Sequence, residues 1–232
     1  MSDIHLIKTD DGSASAYSDQ YGQAYHNPGG AYSESMHNFI KTPQLNDLMS
    51  SQKEIVIFET GFGTGLNLLL VLDLFQHNNQ AEQLHYHTVE ANPITEELFR
   101  SFNYEQYLTD NAIIDQVAAI FSDSKPGVNH FSLGSNVTFS IFKGFFRDME
   151  MPKIKTDIIF HDPFSPRVNS ELWTPGTFST LYELSHPDAL MTTYCAASKA
   201  RAAMAVAGWF VARAPGALGK REMTVASKKK SQ

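Results

Sequence analysis

Residues 55–70, I-V-I-F-E-T-G-F-G-T-G-L-N-L-L-L, leave this chain few folds to choose from. Four apolar residues end in an acid. Three glycines follow at every second position, and an apolar run long enough for a helix comes next. A short β-branched and aromatic run bounded by glycine is the sequence form of a strand buried on both faces, so 55–58 is expected as a parallel core strand. Gly61, Gly63 and Gly65 let the backbone turn sharply and approach a ligand without Cβ atoms in the way. A helix starting behind them offers its free N–H groups to that ligand.

Several readings of the loop stay open on these residues. A dinucleotide fingerprint is G-x-G-x-x-G, and here the third glycine comes one residue early. A phosphate-binding P-loop needs a Lys after its last glycine, and none follows Gly65. The form E-x-G-x-G-x-G, which holds S-adenosylmethionine, matches at Glu59, Gly61, Gly63 and Gly65. That donor has no pyrophosphate, so the loop needs no basic residue, and Glu59 is expected to face its ammonium or sulfonium charge. A glycine-rich turn that binds nothing is the bland alternative. Residues 85–89, H-Y-H-T-V, read as the second strand, with Glu90 at its tip. An acid there is placed to take two ribose hydroxyls, in NAD as well as in S-adenosylmethionine, and to cap the helix expected near 93–96.

The rest of the chain alternates strands and helices. Strands are expected at 137–142, 157–160 and 190–194, and helices at 66–76, 95–102, 178–183 and 199–206. Residues 209–213 and 222–226 should pair as a closing antiparallel hairpin. This predicts a Rossmann-like α/β fold, doubly wound on a mostly parallel sheet, as one domain over 1–226. Within it, 1–45 is a polar extension or lid opening on a hairpin (4–8 with 14–17), and 50–226 is the core. The basic tail, 227–232, is expected to be disordered. With 232 residues, 42% of them hydrophobic, there is room for one full core. A single cysteine, Cys195, excludes an internal disulfide and suits a reducing compartment. No signal peptide and no run as long as a membrane span is visible, so a cytoplasmic protein is expected. A net charge of −7 argues against a broadly basic nucleic-acid binder.

The fourth expected strand runs into H-D-P-F-S-P (161–166). Ligands in such sheets sit beyond the carboxyl ends of the strands at the order reversal, which strands one and four flank. Asp162 should therefore lie beside the bound donor. Two prolines stiffen the segment and would hold Asp162 and Phe164 in one geometry. Phe164 and Trp173 are candidates to stack on a flat substrate, with Trp173 equally suited to the core. His161 should point the other way and be structural. Arg201, Lys220 and Arg221 are the candidate basic rim.

The segments 17–31, E-S-M-H-N-F-I (34–40), E-T-G-F-G-T-G-L-N (59–67), V-E-A-N-P (89–93), D-P-F-S-P (162–166), E-L-W-T-P (171–175) and G-K-R-E-M (219–223) resemble the methyltransferase domain of the MnmC family. Those bacterial enzymes finish 5-methylaminomethyl-2-thiouridine at the tRNA wobble position. The likeness runs in order from about residue 9 to residue 226. It implies the stand-alone form, without the FAD oxidoreductase domain, using S-adenosylmethionine and neither FAD nor metal. It implies methylation of the aminomethyl nitrogen of 5-aminomethyl(-2-thio)uridine in the tRNA anticodon, with a separate oxidoreductase or enzyme complex supplying that substrate. Tyr25 would close over the donor, and Asp162 would be the catalytic acid residue. The family's Asp after the third strand, near the adenine, is replaced here by Phe145 in Gly144-Phe145-Phe146-Arg147. Phe145 cannot accept from an adenine amino group. An alkylamine has a pKa of about 10 and an ordinary Asp about 4, so Asp162 is expected mainly to orient the amine. The alternatives are methylation of a small-molecule amine or a protein, or a non-catalytic donor-binding domain.

Overall fold

The computed structural model describes residues 4–230. An N-terminal sheet of β1 (Ile4–Lys8), β2 (Ala14–Ser18) and β3 (Gln23–Ala24) is antiparallel throughout. Helix α1 (Ala31–Ser35) runs straight into a π-helical turn (Met36–Lys41), and α2 (Leu45–Ser51) leads into the main sheet. That sheet holds β4 (Glu54–Thr60), β5 (Gln83–Glu90), β6 (Gly127–Ser132), β7 (Val137–Lys143), β8 (Thr156–His161), β9 (Ser185–Thr193), β10 (Phe210–Ala214) and β11 (Met223–Ser227). Helices α3 (Leu66–His77), α4 (Glu96–Arg100), α5 (Ala112–Asp123), α6 (Pro175–Leu184) and α7 (Ser198–Val206) complete the fold.

The strand order is β10-β11-β9-β8-β4-β5-β7-β6. The five inner strands, from β9 to β7, pair in parallel, and both ends of the sheet are antiparallel. The expected closing hairpin is there, with Phe210 opposite Ser227. The edge strand β6 was not expected. Its residues alternate half-buried and exposed, so the sequence offers only a weak period against a Lys-Pro-Gly turn.

The unbroken apolar run of β4 follows from cover on both faces. Ile55 and Ile57 pack with α3, α5 and Phe160, while Phe58 packs with Ile159, Trp173, Phe178 and Met204. Helix α3 is buried at every position from Leu66 to Leu72, because α5 and the π-helical turn cover the side away from the sheet. Residues 227–230 of the tail expected to be disordered lie within the described residues. Ser227 closes β11, and Lys228 Nζ donates to the carbonyls of Tyr182 at 2.8 Å and Ser185 at 3.0 Å. Ser231 and Gln232 lie outside the described residues. Among the described residues, no helix is long and apolar enough to cross a membrane.

Candidate active site

The order reversal between β8 and β5, with β4 in the middle, opens a cleft of about 980 Å³ above the carboxyl ends of the strands. Its floor is the glycine loop. Gly61 has φ 86°, and a Cβ there would lie 2.9 Å from the Asp162 carbonyl oxygen. Gly63 has φ 54°, and its Cβ would meet the Tyr25 ring at 3.2 Å. Both positions need glycine twice over, for conformation and for space. Gly65 ends the loop against Phe62 and Phe121, behind the cleft wall.

Glu90 stands where expected, at the tip of β5 on the cleft wall. Its Oε2 accepts from the Gly63 N–H at 3.0 Å and its Oε1 from the Asn92 N–H at 2.8 Å. Each oxygen keeps a further lone pair for a ligand hydroxyl. Burial raises the Glu90 pKa, and the backbone donors work against that rise. Gly144 and Phe145 line the cleft beyond β7. The Phe145 ring is 50% exposed, and the Arg147 guanidinium lies 4.8 Å from its centre.

Glu59 corrects its expected role. It is fully buried and is not on the cleft wall. Oε1 accepts from Asn67 Nδ2 at 2.8 Å and Oε2 from the Tyr86 hydroxyl at 2.9 Å. Burial pushes its pKa up to about 8. At the end of β4 its side chain turns into the layer between the sheet and α3, so it cannot face a donor charge directly.

Asp162 follows β8 and lines the cleft half-buried, with its N–H bonded to the Thr60 carbonyl at 3.0 Å. Its Oδ2 accepts from Asn67 Nδ2 at 3.0 Å. Burial holds this carboxyl well above the usual Asp range; Glu59 and Glu34 add to the rise, and Lys220 opposes it. Base chemistry is thus open to Asp162, beyond the orienting role expected from an ordinary pKa. His161 is buried and packs on Trp173 and Phe178, as expected of a structural residue. Trp173 is a core anchor, not a stacking surface. It is 6% exposed, and its Nε1 donates to the Phe164 carbonyl at 2.9 Å. That bond ties D-P-F-S-P to L-W-T-P, in which Thr174 caps α6 by accepting from the Thr177 N–H and Pro175 fills the first turn.

The N-terminal sheet roofs the cleft. Tyr21, Gln23 and Tyr25 all line it. The Phe164 ring centre lies 4.6 Å from that of Tyr21 and 4.8 Å from that of Tyr25. Gln23 Oε1 accepts from Ser165 Oγ at 2.8 Å, and Asn92 Nδ2 donates to the Tyr21 hydroxyl at 2.9 Å. Sequence reasoning found Tyr25 and Phe164 but missed Tyr21, Gln23, Asn92 and Asn67. No strand period marks them in advance, because Tyr21 lies in the turn ahead of the two-residue β3, where Gly22 has φ 58°.

The basic rim is overturned. None of Arg201, Lys220 and Arg221 lines the cleft. Arg201 donates to Glu222 at 3.1 Å and Lys220 to Glu34 at 2.7 Å. Arg221 is 93% exposed and lies 3.9 Å from Glu222. Glu222, inside the same motif, pairs with Arg201, and Glu34, far away in sequence, pairs with Lys220, whereas Arg147, not foreseen, does reach the cleft wall.

A five-strand parallel core with this order, a three-glycine loop after its first strand and an acid at the tip of the second define a Rossmann-like methyltransferase. The chain belongs to the family described as S-adenosyl-L-methionine-dependent methyltransferase, whose sequence profile matches residues 110–229, about half of its length. Among its relatives is the tRNA 5-methylaminomethyl-2-thiouridine biosynthesis bifunctional protein MnmC of Cupriavidus metallidurans, 33% identical over 215 residues. That match covers 90% of this chain and 32% of the relative. The protein of the same name from Burkholderia thailandensis is 29% identical, over 95% of this chain and 34% of its own length. The chain therefore spans about a third of the length of these curated relatives. The crystal structure of MNMC2 from Aquifex aeolicus superposes with a TM-score of 0.82 at 25% identity, covering 100% of this chain and 72% of that one.

Proposed function

We propose that this chain methylates the aminomethyl nitrogen on C5 of a tRNA wobble uridine, converting 5-aminomethyl(-2-thio)uridine to its 5-methylaminomethyl form. The observation that carries the reading is Asp162. Its carboxyl lines the cleft beside the glycine loop, with one oxygen held by Asn67 and the other taking no hydrogen bond among the described residues. The relatives' names supply the tRNA.

The residues present fit S-adenosylmethionine. A Cβ at Gly61 or Gly63 would fill the close approaches to Pro163 and Tyr25, and Glu90 offers free lone pairs at the cleft wall. When bound, this donor supplies an electrophilic methyl on a sulfonium. Glu90 would hold its ribose, Gly61 and Gly63 its backbone-facing side, Gly144 and Phe145 its adenine, and Tyr25 would close over it. Asp162 would accept an N–H of the substrate amine and turn its lone pair toward the methyl. Phe164, backed by Tyr21 and Tyr25, would flank the uracil once the wobble base leaves its stack. A separate oxidoreductase or enzyme complex would supply the aminomethyl group, and the cytoplasm is the compartment this reading needs.

The test uses the purified protein, labelled S-adenosylmethionine and tRNA from a strain unable to complete the wobble methylation, followed by digestion and identification of the nucleoside. Label in 5-methylaminomethyluridine is the expected result. Transfer to small amines or protein with tRNA inert would overturn the tRNA part. Donor binding without transfer to any acceptor would leave a binding domain.

A further inference from the structure

The segment Asp162-Pro163-Phe164-Ser165-Pro166 brings the cleft both its carboxyl and an aromatic ring. Its two prolines carry no N–H, so it cannot fix itself through a ladder of its own backbone donors. Other elements hold it instead. The Asp162 N–H donates to the Thr60 carbonyl at the end of β4 at 3.0 Å. The next three carbonyls are each taken up in turn. The Tyr194 hydroxyl donates to Pro163 at 2.8 Å, Trp173 Nε1 to Phe164 at 2.9 Å, and the N–H groups of Val168 and Asn169 to Ser165, both at 3.0 Å. The Ser165 hydroxyl donates to Gln23 Oε1 in the roof at 2.8 Å.

Tyr194 has a place apart in this set. It follows β9 directly, and it lines the cleft, whereas Trp173 does not. Its ring is braced by two neighbours. The Trp173 ring meets it edge-on with centres 6.2 Å apart, and Lys220 Nζ lies 5.4 Å from its centre. Glu34 in turn holds Lys220 at 2.7 Å. Burial, with the neighbouring Asp162 carboxyl adding to it, holds the Tyr194 pKa well above the ordinary value of about 10. The hydroxyl therefore keeps its proton and remains able to donate to Pro163 throughout the working pH range.

From this geometry we infer that Tyr194 is a positioning residue for methyl transfer, which fixes the Pro163 carbonyl and thereby holds the Asp162 carboxyl and the Phe164 ring in one relation to each other. The inference rests on the amine-methylating reading above. The Pro163 ring fixes φ at 163, and the same proline restricts ψ at Asp162. The torsion ψ at Pro163 is then the soft one left between the α-carbons of Asp162 and Phe164. Rotation about it swings the Pro163 carbonyl, so the Tyr194 bond locks it. Misplacing reacting groups by about 1 Å can cost about 10²-fold in rate.

Tyr194→Phe removes the hydroxyl and keeps the ring. Single-turnover methyl transfer to tRNA should fall by about tenfold or more, with S-adenosylmethionine affinity by calorimetry within about twofold of wild type. A tyrosine that merely supports the fold would weaken both together. In an Asp162→Asn background the same change should cost less than about threefold, because the carboxyl it positions is gone. Equal losses in the two backgrounds would overturn the inference. Para-aminophenylalanine at position 194 returns an N–H donor on the same ring and should restore transfer to within about threefold of wild type, while para-methylphenylalanine, similar in size, should not. That pair carries the test if Tyr194→Phe does not fold. A readout free of turnover is hydrogen exchange at the Asp162 amide by NMR, which should quicken by about fivefold or more without the Tyr194 hydroxyl, with the amides of β4 and β8 unchanged. Unaltered exchange there, or transfer within about twofold of wild type in Tyr194→Phe or with para-methylphenylalanine, overturns the inference. Failure of the wild type to methylate tRNA would strike the functional reading instead and leave the exchange measurement standing.

Discussion

At the scale of single residues, the site depends on carboxyls held in unusual states. Asp162→Asn should keep donor affinity and lose at least a hundredfold in turnover, since general-base assistance contributes about 10²–10⁴. Single-turnover methyl transfer checks it, and near-normal transfer would remove Asp162 from the chemistry. Glu59 carries a stability signature as well. Its folded pKa of about 8 lies above its ordinary 4.5. The unfolded chain therefore gives up this proton first. The contribution of Glu59 is fully present below about pH 4.5 and is lost as pH rises through about 8. Glu59→Gln should flatten the fall in urea midpoint between pH 5 and pH 8. An equally steep fall would show that other groups cause it. The motif residues Glu59, Gly61, Gly63, Glu90 and Asp162 were all legible as a set. What Glu59 contacts was not, because a strand-end side chain can turn to either layer, and only the packed position of Asn67 on α3 decides which.

At the scale of elements, the glycine loop and the L-W-T-P segment show two kinds of local code. Gly61→Ala would add a Cβ 2.9 Å from the Asp162 carbonyl at φ 86°. The backbone of β4 or of the 162–163 segment must then shift. A loss of about 1–3 kcal/mol in unfolding free energy is expected, together with loss of donor binding, by denaturant titration and calorimetry. Trp173→Phe removes the Nε1 bond to the Phe164 carbonyl and keeps most of the apolar contact. It should cost about 1–2 kcal/mol in the same titration, and it should loosen Phe164 more than it disturbs α6. Strands β4 and β8 were readable because burial on both faces leaves a short apolar run, and β5 and β7 because buried residues alternate with more exposed polar ones. Strand β6 was not, since an edge strand with one side to solvent needs few apolar residues.

For the whole molecule, charge and the roof of the cleft matter most. The net charge is −7, and two of the three expected rim cations are spent on Glu34 and Glu222. Arg147 at the cleft and exposed Arg167 and Arg221 are three of the cations still open to phosphates. If tRNA binds through these, log K should fall with log salt at a slope no steeper than about −2, as three contacts to a single-stranded loop give. Filter binding across a salt series checks this, and a slope several times steeper would require a different basic face. The sequence by itself determined the doubly wound sheet, the glycine loop and the acids at the strand tips. Those features rest on local burial and backbone freedom, which neighbouring residues encode. Only the tertiary structure decided which charges cancel, which carboxyl faces the cleft, and that Tyr21 and Tyr25 close over Phe164. Glu34 and Lys220 are 186 residues apart. A pair so distant is brought to 2.7 Å by the meeting of the N-terminal extension with the loop ahead of the last strand, and no local pattern carries that distance.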